Sequence, residues 1–145
     1  VETSELTNKL EVLIEDAKAG ILATTDSEGL VHMRWMTPIV LKQRPGAVFA
    51  FSAPDAGKID QITTSGRASW MIQTRDLREI VNLSGAARIV DNPALKAELM
   101  DVAGARLTVF WKTNIRTEEF VIIETVIEKA SWFKPMQAMR QTVRF

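Results

Sequence analysis

The 145-residue sequence has no cysteine. Disulfides, thiolate nucleophiles, cysteine-ligated iron–sulfur clusters and the usual structural zinc sites are therefore excluded. Its single histidine, His32, is too few for a zinc site that needs two or three histidines from one chain. No apolar run reaches the roughly 18 residues expected of a membrane-spanning helix. The opening VETSELTNKLEVL has neither the basic segment nor the continuous apolar stretch of a signal peptide. Together these absences predict a soluble, cytoplasmic protein with no membrane partner. An excess of one charge is missing as well: 18 Lys and Arg residues balance 18 Asp and Glu. No overall field then draws the chain to nucleic acid.

Common catalytic and cofactor motifs are also missing. The sequence has no GxGxxG, no GxxxxGK followed by Ser or Thr, no HExxH, no calcium loop and no GxSxG. Asp16, Asp26, Asp55, Asp60 and Asp76 fall at starts, turns or polar faces, and no pair of them has a context that fixes a hydrolytic geometry. Hydrolase chemistry ranks low, no metal site is expected, and no residue is assigned a catalytic role.

What is present fits one soluble globular domain spanning 1–145, with 134–145 as a candidate C-terminal tail: 46% of residues are apolar and 25% charged. Leu6, Leu10, Leu13, Ile14 and Ala17 recur at helical spacing. They predict an amphipathic helix over Ser4–Ala19, capped by Ser4 or Thr7 and ended by Gly20. The stretch Ile21–Thr25, a turn at Asp26–Gly29 and a β-prone run from Leu30 to Leu41 predict a hairpin. Ala47–Ser52 is a third strand, Lys58–Thr64 a short helix, and Ala68–Gln73 and Ile80–Val90 two more strands. Gly85 marks a bulge or a close backbone approach.

Asp91 or Asn92, followed by a proline, starts a helix through ALKAELM. Ala103–Asn114 reads as a short helix and loop carrying Phe110 and Trp111, and Phe120–Ile127 as the last strand. The order lacks regular βα alternation, which favours a mostly antiparallel barrel with peripheral helices over a doubly wound sheet.

Within this frame Arg34 interrupts the otherwise apolar VHMRWM, where a strand could hold a guanidinium as a phosphate clamp. Ser52 closes VFAFS and Lys58 begins the next helix, so a loop folding back between them brings a hydroxyl and an ammonium to one anion. Trp35, Met36 and Phe51 are candidates for an apolar wall beside it, or for ordinary core. The basic residues Lys129, Lys134, Arg140 and Arg144 read as a solvated segment with aromatic anchors, since no nucleic-acid motif contains them.

The runs ILATTDSEGLVHMRWMTPI, VFAFSAPDAGKIDQI and VNLSGAARIVDNPALKAELM resemble the pyridoxamine 5'-phosphate oxidase-like group of FMN-binding split barrels. The small general-stress-protein branch is the nearest in pattern. The resemblance spans roughly residues 6–133 and is strongest from Ile21 to Met100. It implies a six-stranded antiparallel split barrel, a homodimer, and FMN as cofactor. Arg34, Ser52 and Lys58 fall at the family's phosphate contacts; Trp35, Met36 and Phe51 fall on the strands flanking the flavin ring.

Glu79 stands in the region of a glutamine that reaches FMN from the partner subunit, and Trp132 resembles an aromatic near the usual C-terminal end. Ile39 replaces the lysine that holds the substrate phosphate in true pyridoxamine phosphate oxidases, which argues against vitamin B6 oxidation. The resemblance thus implies a flavin-dependent oxidoreductase, with NAD(P)H or another electron donor and a small-molecule acceptor. Its alternatives are a noncatalytic flavin-binding or stress-associated module, or a split barrel binding haem or deazaflavin, with His32 as the one residue that allows haem ligation.

Overall fold

Period-two patterning on either side of the Asp26–Gly29 turn folds as a hairpin. In the computed structural model, which describes residues 2–107 and 120–145, β1 (Gly20–Thr25) pairs antiparallel with β2 (Val31–Met36). Asp26 locks the turn: its Oδ1 accepts from the backbone N–H of Glu28 at 2.9 Å and of Leu30 at 3.0 Å. Its Oδ2 lies 2.8 Å from His32 Nε2. Gly29 takes φ +82°, a left-handed conformation that disfavours a side chain.

The remaining strands are β3 (Ala47–Ser52), β4 (Arg67–Gln73), β5 (Ile80–Val90), β6 (Val121–Lys134) and β7 (Met139–Arg144). All described pairings are antiparallel, in the path β2-β1-β4-β5-β6-β3. β5 occupies one edge of the long β6, while β3 and β7 share the other, at residues 121–126 and 129–134. From β3 back toward the end of β2, the described pairing is a single bridge, Ile39 with Phe49.

Residues 134–145 are therefore not a loose tail. A 3₁₀ turn at Pro135–Gln137 reverses the chain, and β7 returns along β6, with Ser131 and Thr142 hydroxyls 3.2 Å apart. This strand is additional to the six expected, and β6 runs seven residues past the expected end at Ile127.

Among the described residues three α-helices pack around the sheet. In α1 (Thr3–Ala17), Leu6, Leu10, Leu13 and Ile14 are buried on one face, each buried leucine being worth about 1.5–3 kcal/mol of transfer free energy. The helix stops at Lys18, which has φ +68°, rather than at Gly20. Gly20 instead begins β1, where a Cβ would lie 3.0 Å from Ile72. Neither Ser4 nor Thr7 caps the helix; the Thr7 hydroxyl accepts from Gly46 N–H at 2.9 Å.

Next come α2 (Gly57–Ser65) and α3 (Pro93–Ala103). Asn92 caps α3, accepting from Ala94 and Leu95 N–H. Gly104–Leu107 forms a 3₁₀ turn, and Phe110 and Trp111 lie outside the described residues.

The apolar residues divide into two clusters. Val48 and Ala50 join Leu22, Trp70, Leu83, Ile123 and the α1 face in the main core. Phe49 and Phe51 point the opposite way and pack with Leu95, Leu99 and Phe120. In the main core the indole of Trp70 is satisfied, because its Nε1–H donates to the buried Thr125 hydroxyl at 3.2 Å.

A bulge sets the curvature where β5 crosses β6: Ser84 faces Lys129, Gly85 faces Ile127, and Glu128 is the extra residue. A Cβ on Gly85 would sit 1.9 Å from the Val126 carbonyl oxygen. Backbone cannot yield as a flexible side chain does. Gly85→Ala is expected to lower unfolding free energy by about 3 kcal/mol or more. Urea denaturation checks this, and a loss below about 0.5 kcal/mol would show that the strands do not need this approach.

Candidate functional site

Side chains alternate across a sheet, so cross-strand partners share a face. Arg34 is paired with Leu22 and His32 with Thr24, and both Leu22 and Thr24 are buried. Arg34 therefore stands on the inward face of β2, half-buried at its rim. Its Nη1 donates to the Leu22 carbonyl at 3.1 Å and to Thr24 Oγ1 at 2.8 Å; its Nη2 donates to Gln61 Oε1 at 3.4 Å. Thr24 in turn donates to Gln61 Oε1 at 2.5 Å.

Gln61 comes from α2, which is pinned by the buried Ile62 and by Ala87 N–H donating to the Gly66 carbonyl at 2.9 Å. Lys58 sits in the first turn of the same helix. Burial lowers its pKa from 10.5, and the positive charge of Arg34 lowers it further. Burial also lowers the pKa of Arg34.

Among the described residues neither cation has an ion pair with an acid. Two like charges partly withdrawn from water repel, and an anion placed against both removes the repulsion and restores lost solvation. In the first turn of α2 the Ile59 N–H donates to the Ala56 carbonyl at 3.0 Å, and the N–H groups of Gly57 and Lys58 add donors of the same sign. The donor set fits a phosphate.

Ser52 is buried at the end of β3, in phase with the inward-facing Val48 and Ala50. Its hydroxyl donates to the Ala53 carbonyl at 3.0 Å. Met36 shares the face of Arg34 and packs against the main core.

The structure does not bring Trp35 or Phe51 to that face. Each is one residue out of phase. Trp35 points outward with 80% of its surface exposed, in line with Met33 and Val31, beside a groove of about 310 Å³ that includes Ile21 and Met71. Phe51 is buried in the second cluster, its ring 6.5 Å from that of Phe120. Within one chain the expected apolar wall reduces to Met36.

Glu79 and Trp132 line one groove of about 630 Å³ between α1, the β4–β5 turn and the β6–β7 hairpin. Lys9 lies over the Trp132 ring at 5.3 Å. No lining residue of this groove belongs to the Arg34 network. His32 is held by Asp26, whose pKa falls chiefly through that hydrogen bond.

Thr24 and Gln61 are the site residues that the sequence reading missed. Neutral polar side chains carry no charge signal. One clue was present: Gln61 follows Lys58 by three positions, which puts both on one face of a helix.

An antiparallel sheet in this strand order, with peripheral helices, matches the split-barrel topology, and a cationic corner lies at the start of α2. The chain belongs to the pyridoxamine 5'-phosphate oxidase like family, whose model matches residues 5–143.

Among solved structures it is similar to general stress protein 26 from Bacillus anthracis, with a TM-score of 0.74, 16% identity, and coverage of 97% of this chain and 99% of that one. A pyridoxamine 5'-phosphate oxidase-related, FMN-binding protein from Nostoc punctiforme has a TM-score of 0.69 at 13% identity, with 95% of each chain covered. A heme binding protein from Mycobacterium smegmatis has a TM-score of 0.71 at 19% identity, covering 99% of this chain and 58% of that one. At these identities the likeness is one of fold. Among curated proteins, none matches in sequence.

The repulsion within the cation pair has a measurable sign. Between the lowered pKa of Lys58 and 10.5 the unfolded chain binds the extra proton, so this group's contribution to stability rises with pH. Below the lowered pKa its penalty is fully present. Lys58→Met is therefore expected to raise the melting temperature of the ligand-free protein by about 1–2 °C at neutral pH. The difference should shrink as pH approaches 10.5. A lower melting temperature, or a gap independent of pH, contradicts the repulsion.

Proposed function

We propose that this protein is an FMN-binding module of the split-barrel type, holding the cofactor phosphate with Arg34, Ser52 and Lys58. The observation that carries the reading is the partly buried Arg34–Lys58 pair, brought together from β2 and α2 without an acidic partner among the described residues. Membership of the family supports a flavin phosphate over other anions. Bound FMN would supply the redox chemistry; the residues described here bind and orient it.

Pyridoxamine phosphate oxidation is not proposed. Ile39, at the position where the resemblance places a substrate lysine, is fully buried and bridged to Phe49. A haem or deazaflavin in place of FMN is the competing ligand reading. His32, the one histidine that would ligate haem, has its Nε2 on Asp26 and keeps Nδ1 for a metal.

A second copy of the chain is the proposed partner. Val31, Met33 and Trp35 expose 61, 71 and 80% of their surfaces on one face of β2, more contiguous apolar area than scattered surface residues explain. In a homodimer this stripe would be covered, and Glu79 and Trp132 of one copy would contact FMN held by the other. Their groove of about 630 Å³ falls in the size range of small-molecule sites. That observation favours the second functional reading, an FMN-dependent oxidoreductase drawing on NAD(P)H or another donor and reducing a small organic acceptor.

After incubation with FMN and removal of free ligand, the protein should keep absorption bands near roughly 370 and 450 nm at about one FMN per chain. Arg34→Ala and Lys58→Ala should each weaken FMN binding by about tenfold or more with the circular dichroism spectrum intact. Unchanged affinity in folded variants would overturn the site, and a Soret band from added haem with no flavin uptake would overturn the cofactor. Repeated NAD(P)H turnover would favour the enzyme reading. Sedimentation should show a wild-type dimer that Trp35→Glu converts to monomer, and a monomeric wild type would remove the shared-site proposal.

A further inference from the structure

A guanidinium carries its N–H donors along fixed edges in one plane, so the bonds it makes to the protein decide which edge is left for a ligand. For Arg34 three donors are committed, to Leu22 O, Thr24 Oγ1 and Gln61 Oε1. Both Nη1 hydrogens are used. Among the described residues Nε–H and the second Nη2 hydrogen have no protein acceptor. Those two donors lie side by side on one edge, the fork that grips two oxygens of one phosphate or carboxylate.

The partners form a closed ring. Thr24 accepts from Arg34 and donates to Gln61 Oε1, and the same oxygen accepts from Arg34 Nη2. Arg34 can only donate, so Gln61 must turn its oxygen toward the guanidinium and its amide –NH₂ away. Gln61 is thus neutral toward Arg34 where a glutamate would neutralise it. Thr24 is almost fully buried, and its hydroxyl has no solvent to exchange for this pairing.

We propose that Thr24 and Gln61 are positioning residues that lock Arg34 with its two-donor Nε–Nη2 edge toward the ligand. The group it is set to receive is a phosphate monoester head gripped through two oxygens. This rests on the FMN reading above. Neither residue neutralises the clamp, and their effect on the ligand passes through Arg34.

The test titrates the full chain with FMN, following flavin fluorescence, in five variants, Arg34→Ala alone among them. Thr24→Val removes the hydroxyl at nearly constant shape and should weaken FMN about five- to tenfold. Thr24→Ser keeps the hydroxyl and should bind within about twofold of wild type. In an Arg34→Ala background, Thr24→Val should cause no further loss, because coupled residues are non-additive. Gln61→Glu supplies an internal counter-ion. It should weaken FMN by more than about tenfold while raising the melting temperature of the ligand-free protein, opposite movements that a purely structural role would not produce.

Wild-type affinity in Thr24→Val or Gln61→Glu overturns the inference. So does an equal loss from Thr24→Val with and without Arg34. If wild type takes up no FMN, the cofactor reading fails. The positioning claim is then judged on the thermal shift given by inorganic phosphate in the same variants: a shift abolished by Gln61→Glu and kept by Thr24→Ser upholds it, and a shift equal in all overturns it.

Discussion

Leu22 faces Arg34 across the first hairpin, and the candidate site depends on that register. A slip of one residue would turn Arg34 outward and bring Trp35 or Met33 into the core. Two kinds of force hold the register. Leu22 must be buried in the main core, and Asp26 ties the turn through Glu28, Leu30 and His32. With the register set, Arg34 meets Thr24 on its own sheet and Gln61 and Lys58 on α2, and a cationic corner follows. The corner is uncomfortable without an anion, which gives a physical reason for a ligand there.

The rest of the fold holds that corner in place. β6 is the shared wall: β5 runs along one edge and β3 and β7 divide the other, so each core cluster includes residues from it. Its curvature passes through the Gly85 bulge, where Glu128 bulges out and pairs with Arg67 at 2.7 Å. α2 is attached to the same region through Gly66 and Ala87. Lys58 and Gln61 therefore inherit their placement from the β5–β6 crossing, far in sequence from Arg34. The wide groove at Glu79 and Trp132 lies apart from the corner within one chain, which is why a second copy enters the functional account.

Much of this was legible in the residues. β3 and β5 were readable to their ends, because turn residues bound both runs and their β-branched and aromatic content is high. Asp91 or Asn92 before a proline announced α3, and Gly85 announced a bulge or a close approach. Other features were hidden for definite reasons. Arg140, Gln141, Thr142 and Arg144 read as polar tail, since an edge strand with both faces largely exposed carries no hydrophobic alternation. Trp35 and Phe51 looked like neighbours of Arg34 and Ser52 because sequence adjacency conceals the pleat, which sends neighbours to opposite faces. Arg34 and Lys58 were visible as charges, whereas Thr24 and Gln61 act through hydrogen bonds that only the fold brings together.

In the proposed function the Arg34–Lys58 corner binds a phosphate and thereby selects FMN. Riboflavin carries the same ring without the phosphate, so equilibrium titration of the wild-type protein with each flavin isolates that one group. Tighter binding of FMN by at least about a hundredfold is predicted from two charge-assisted contacts. Equal affinity for the two flavins would contradict the claim and leave the cationic corner without the role given to it.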